Sequence, residues 1–193
     1  MLRIRLWIIV CVLSLATTAL QAETVYDASL TYGKARFFGD LSDEQSAPIR
    51  TLSTRIMQQQ DKIVWGLGIQ VLSTSTHHTG NDFPYEKNSQ LKLLSFFFTP
   101  VVCSIGQVFV CAAMGNGTVN VNAAKHRQDY GSWTYQGNLA LKVLDSFAVY
   151  FGITYVGRVE QQIAERRSEF SFLSMLVGLT YGSTPPSQPK SFD

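Results

Sequence analysis

From Tyr26 onward the chain alternates large apolar side chains with small or polar ones. Tyr26, Ala28, Leu30 and Tyr32 fall on one face of an extended segment, and Asp27, Ser29, Thr31 and Gly33 on the other. A period of two marks a strand whose faces meet unlike surroundings. The pattern recurs in Ile63, Trp65, Leu67, Ile69 and Val71, set against Val64, Gly66, Gly68 and Gln70. Glycines on one face of a strand leave room for larger side chains arriving from its neighbours. Trp133, Tyr135, Leu139, Leu141 and Val143 alternate with Ser132, Thr134, Gln136, Asn138, Ala140 and Lys142. After Asp145-Ser146, Phe147, Val149, Phe151, Ile153 and Tyr155 alternate with Ala148, Tyr150, Gly152, Thr154 and Val156. Two such strands joined by a short link predict a hairpin.

Other segments are less plain. Over 49–58, Leu52 and Ile56 share a face with Arg50 and Thr54, and a short helix over 50–60 competes with a strand. Over 91–99 either Leu94, Phe96 and Phe98 or Leu91, Leu93 and Phe97 could face outward. A bend is expected over 100–106, followed by Val108, Val110, Ala112 and Met114 in alternation with Gln107, Phe109, Cys111 and Ala113. The last strand, 170–181, puts Leu173, Met175, Val177, Leu179 and Tyr181 opposite Ser174, Gly178 and Thr180, with Phe172 and Leu176 as misfits on the polar face. About eight strands result, each near the ~9–11 residues that cross a bilayer at a tilt. Connections near Gln60, Pro100 and Asp145 are short. Those over 39–48, 73–87, 115–129 and 160–169 are longer and polar, with Val119 and Val121 extending one strand into the third. Such asymmetry between the two ends is that of an outer-membrane barrel.

The first residues change the picture. Arg3 and Arg5 precede an apolar run from Ile8 to Leu15, and small residues follow to Ala22. This predicts a signal peptide over 1–22, cleaved after Ala22 or alternatively Ala19, and too short to span a membrane. Cys11 follows Val10, a poor lipidation context. Loss of Arg3 and Arg5 takes the net charge from +2 to 0, which leaves no basic excess to suggest nucleic acid. No later stretch reaches the ~18 apolar residues of a spanning helix. A membrane form must therefore be a closed barrel, because only helices and closed barrels satisfy their backbone hydrogen bonds in lipid. The expected fold is all-β: a closed antiparallel up-and-down transmembrane barrel over 23–182, followed by a short Pro/Ser-rich periplasmic tail over 183–193. A secreted sandwich, using its apolar faces as a core, is the soluble alternative.

The closing Val177-Gly178-Leu179-Thr180-Tyr181 resembles the C-terminal assembly signal of small eight-stranded outer-membrane barrels of the OmpA and OmpX type. In that signal a glycine precedes an aromatic by three positions, which Gly178 and Tyr181 match. Ser183 stands where a terminal Phe would follow. The resemblance implies a Gram-negative outer-membrane location, both termini in the periplasm, and the barrel assembly machinery as a partner during biogenesis.

Cys103 and Cys111, the cysteines left after processing, read as a local disulfide in an exported chain; two reduced, buried thiols are the competing reading. Lys125, Arg127, Arg158, Arg166 and Arg167 fall at the outer strand ends, where they suit lipopolysaccharide phosphates. Glu160, Glu165 and Glu169 offer the competing reading of ordinary loop ion pairs. His77, His78 and His126, with Ser132, Asp129 and Glu169, are the residues a lipid A-modifying enzyme would need near one rim. No local motif of such enzymes is present, and no catalytic residue is assigned. His77-His78 with Asp82 lacks the third spaced ligand of a metal site, and no metal or cofactor is expected. Asp27, Gln136, Asn138 and Lys142 are inward candidates, and eight strands leave an interior that side chains fill. The leading expectation is a non-enzymatic outer-membrane barrel with a structural or surface-interaction role: envelope integrity, adhesion or lipopolysaccharide contact. A narrow channel or transporter is the alternative. Outer-membrane lipids are the expected partners, and the sequence sets no oligomeric state.

Overall fold

The computed structural model describes residues 23–39, 46–60, 62–78, 89–104, 108–123, 126–144, 146–163 and 166–182. They form eight strands: β1 Glu23–Gly39, β2 Ala47–Gln60, β3 Ile63–His78, β4 Ser89–Ser104, β5 Val108–Ala123, β6 His126–Leu144, β7 Phe147–Ile163 and β8 Arg166–Gly182. Each pairs antiparallel with the next, and β8 returns to pair with β1, so the sheet is a closed barrel. The signal peptide expected over 1–22 and the tail expected over 183–193 lie outside the described residues.

Alternation decides which way each side chain points. On β1, Tyr26, Leu30 and Tyr32 are exposed while Ser29 and Thr31 are buried inside. On β8, Met175, Val177, Leu179 and Tyr181 face out and Ser174 and Thr180 face in. All eight strands expose large apolar side chains. A water-soluble protein rarely shows so continuous an apolar surface, and the closed strand order rules out the sandwich. The doubtful segment 49–58 is a strand, with Arg50, Leu52, Thr54 and Ile56 together on its outer face. On β4 the inward set is Leu91, Leu93 and Phe97, and the outward set is Leu94, Phe96 and Phe98.

Two expected loops, 115–129 and 160–169, are largely strand, and a third, 73–87, is strand over 73–78, its remainder lying outside the described residues. β3 continues through Ser73 to His78, β5 to Ala123, and β7 and β8 together take in most of 160–169. Beyond an apolar layer, the outer face of a strand meets water and needs no apolar residues. The alternation fades there while the ladder continues. The bend expected at Pro100 is also strand: Pro100 is exposed in β4, and the ladder to β5 is interrupted between Phe98 and Val101. Proline has no N–H to donate to the ladder.

β7 carries one irregularity. Its register against β8 shifts between Val156 and Val159, as a β-bulge does when one strand holds an extra residue. Val156 and Gly157 are both buried, Arg158 is exposed and Val159 is buried. Ser132 Oγ donates to the Gly157 carbonyl at 3.1 Å and so secures the bulge.

The interior is layered. At the end carrying Glu23 and Gly182, Val25, Met57, Val64, Val101, Cys103, Cys111 and Ala113 form an apolar cluster. Towards the other end a larger cluster includes Phe37, Ile49, Leu72, Phe97, Phe170 and Phe172. The misfits Phe172 and Leu176 belong to it. Polar residues occupy the middle. Arg55 Nε donates to Asp27 Oδ1 at 2.8 Å, and Arg55 Nη2 lies 2.8 Å from Asp27 Oδ2. Tyr150 donates to Asn138, and Gln136 to Gln70. Of the inward candidates, Asp27, Gln136 and Asn138 join these contacts, whereas Lys142 is exposed. Gly68 makes room for the arginine, since a Cβ there would sit 2.9 Å from Arg55 Cγ.

Two outcomes follow for stability. A Cβ at Gly178 would lie 2.1 Å from the Leu30 carbonyl oxygen and 2.6 Å from Thr31 Cα, whereas one at Gly137 would meet nothing within 4 Å. What requires glycine at 178 is thus the neighbouring backbone, not the interior side chains. Gly178→Ala should destabilise the barrel by about 1–3 kcal/mol and Gly137→Ala by no more than about 0.5 kcal/mol, measured by urea unfolding in detergent. Equal effects would contradict the packing at the β1–β8 seam. Removing one partner of the buried pair, as in Arg55→Met, should cost about 3–5 kcal/mol. Adding Asp27→Asn to it should recover part of that loss.

Candidate functional site

Two places offer chemistry: the outer surface beyond the apolar band, and the interior. On β1 the exposed series Leu30 and Tyr32 gives way to Lys34 and Arg36. On β2, Arg50 stands beyond Leu52, and on β4, Lys92 stands beyond Leu94 and Phe96. Because Lys34 pairs in register with Pro48 and Tyr32 with Arg50, Lys34 and Arg50 are diagonal neighbours on one outer face. Lys92 opposes Asn122, which opposes Arg127 on β6, and all three are exposed. Arg36 places its guanidinium carbon 5.9 Å from the centre of the Phe38 ring. Cationic side chains of β1, β2, β4 and β6 therefore form an edge bordering the apolar band. Below it, aromatic side chains face outward, including Trp133 and the Tyr135–Tyr155 pair with centroids 6.3 Å apart.

The residues singled out from sequence divide differently. Arg127 belongs to this edge. Arg158 instead holds two carboxylates, with Nε 2.9 Å from Glu160 Oε1 and Nη2 2.6 Å from Glu169 Oε2. Arg166 and Arg167 lie on β8 opposite Ile163 and Gln162. Lys125 lies outside the described residues. Lys34, Arg36, Arg50 and Lys92 were missed. The available signal was that each continues its strand's outward parity next to an outward apolar position.

Of the residues considered for catalysis, Ser132 and Asp129 are held apart. Ser132 is buried inside the barrel, whereas Asp129 is exposed on the outside of the same strand, where it accepts a hydrogen bond from Asn120 at 2.7 Å. The barrel wall separates the two, and Glu169 is engaged by Arg158. His77 and His78 lie on β3 and His126 opens β6; Asp82 lies outside the described residues. No group of metal-ligating side chains occurs among the described residues. In the interior, the polar middle lies between the two apolar clusters. Cys103 and Cys111 oppose each other on β4 and β5, point inward, and are joined by the expected disulfide.

No family model and no curated protein matches this sequence. Solved structures do resemble it. Neisserial surface protein A aligns over 83% of this chain and 97% of its own, with 10% identity and a TM-score of 0.57. Ail, the attachment invasion locus protein of Yersinia pestis, in complex with the heparin analogue sucrose octasulfate, aligns over 83% and 99% with 14% identity and a TM-score of 0.54. The outer membrane protein OprG of Pseudomonas aeruginosa aligns over 83% and 95% with 9% identity and a TM-score of 0.51. At such identities the likeness is one of fold, and with the strand order and apolar exterior described above, the chain has the fold of the small eight-stranded outer-membrane β-barrels.

Proposed function

We propose that the protein is an integral barrel of a bacterial outer membrane with a structural and surface-contact role. The end carrying Glu23 and Gly182 faces the periplasm. One observation carries the reading: the polar interior is bounded by an apolar cluster on each side while the exterior is an apolar band with a cationic edge. An interior of that kind favours stability over solute passage. The exterior suits lipid, with aromatic side chains at the level where amphipathic rings favour the interface. Gly178 and Tyr181, at the strand that closes the ladder, are the part offered to the assembly machinery.

The cationic edge bears on the contact. Lys34, Arg50, Lys92 and Arg127 stand where the phosphates of an outer-leaflet glycolipid would lie, and an arginine fork binds phosphate bidentately. Arg158, held by Glu160 and Glu169, favours the ion-pair reading at its own position. Ail, whose structure holds a polyanion, is named for attachment and invasion. That supports surface contact as the class of role, and the charge pattern here favours lipid phosphate as its chemistry. No catalytic step is assigned to the chain.

Three experiments test this reading. The purified barrel should run at different gel mobilities before and after boiling, and should give no steady conductance in planar bilayers. A stable open channel would replace the closed-barrel reading with the transporter one. Lipopolysaccharide copurifying with the protein should fall several-fold in the Lys34→Glu, Arg50→Glu, Lys92→Glu triple variant, and added salt should weaken the wild-type association. Unchanged association would remove the contact at this edge.

A further inference from the structure

Cys103 and Cys111 are 3% and 5% exposed. What covers them comes largely from other strands: Val25 from β1, Met57 from β2 and Val64 from β3 join Val101 and Ala113 of their own strands. Val25 takes its place through the pairing of β1 with β2, and the interior is enclosed only when β1 also pairs with β8. In an isolated β4–β5 hairpin none of the cover from β1 to β3 exists. The two cysteines, by contrast, already oppose each other in that hairpin, with a sequence separation of 8.

Disulfides form and break by attack of a thiolate on a sulfur, through a mixed disulfide. The attacking group must reach the sulfur, and the mixed intermediate must fit. Beneath the side chains of β1, β2 and β3 it does not. We infer that the Cys103–Cys111 bond is made before the barrel closes. The chain is a substrate for oxidative disulfide exchange only while unfolded or as an open hairpin, and closure locks in the redox state it finds.

The step balances with a disulfide-bearing oxidant, protein or small molecule, of the exporting compartment. The thiolate of one cysteine attacks the oxidant's disulfide, forming a mixed disulfide and releasing one oxidant sulfur as thiolate. The thiolate of the second cysteine then attacks the first and releases the other oxidant sulfur. Two protein thiols lose two electrons and two protons, and the oxidant's disulfide becomes two thiols. The inference rests on the barrel reading, and its test reports on barrel closure separately.

Oxidised and reduced protein are each folded in detergent micelles. Dithiothreitol is added to the first and oxidised glutathione to the second, and thiols are counted by maleimide labelling after quenching and unfolding. In the folded barrel both exchanges should be at least ~100-fold slower than in urea, because attack requires exposure of the sulfurs. Val64→Ala and Val25→Ala, which thin the cover, should speed exchange in the folded state without abolishing the heat-dependent mobility shift. The Cys103→Ser, Cys111→Ser double variant should still give that shift, since the bond is not what closes the ladder. Folded-state exchange within a few-fold of the urea rate, in samples that keep the shift, overturns the order of events and leaves the barrel standing. Rapid exchange in samples with no shift overturns both.

Discussion

Pairing of the first strand with the last is the constraint on which the molecule depends. In the membrane setting proposed above, an edge has no water to satisfy it, so each backbone donor and acceptor must find its partner within the ladder. The β1–β8 seam meets that need through a register running from Asp27 opposite Gly182 to Gly39 opposite Phe170. Several glycines belong to that seam. A Cβ at Gly33, Gly178 or Gly182 would run into the backbone of the facing strand. Small residues there serve the approach of two chain segments far apart in sequence.

Once the wall is closed, the interior must be filled, and it is filled unevenly. The buried Arg55–Asp27 pair sits between apolar layers. A charge in such a place requires its partner and its hydrogen bonds, and the fork of Arg55 on both carboxylate oxygens provides them. Glycines on β3 and β7 supply the space, Gly68 beside Arg55 and Gly152 beside Tyr150. The polar groups are thus arranged as buried pairs held from above and below.

Much of the wall was legible in the chain. Period two assigned the faces of β1, β3, β6, β7 and β8, and the closing aromatic and glycine of β8 marked the last strand. What alternation cannot convey is height. Phe172 and Leu176 looked out of place on a polar face until register gathered them with Phe37, Leu72 and Val119 into one layer. The strand ends were missed for a related reason: above the apolar band both faces of a strand tolerate polar residues, so Ser73, Ser75 and Thr76 resembled a loop. The cationic edge escaped because its members are scattered in sequence and adjacent only across strands. Asp129 and Ser132, grouped at one rim on sequence grounds, part on sidedness, since residues three apart on a strand face opposite sides of the wall.

The bulge at Gly157 has a consequence for lineage. Strict counting from Thr154 and Val156 would turn Arg158 and Glu160 into the interior, yet the extra residue restores Arg158 to the outside and Val159 to the inside. A strand of this kind tolerates the presence or absence of that one residue, because the residues beyond keep their sides of the wall either way. Among descendants of a common ancestor, the length of this strand can therefore drift by one while the pattern of inward and outward residues is inherited intact. An alignment that forbids a gap there would read the same inheritance as a wholesale change of character.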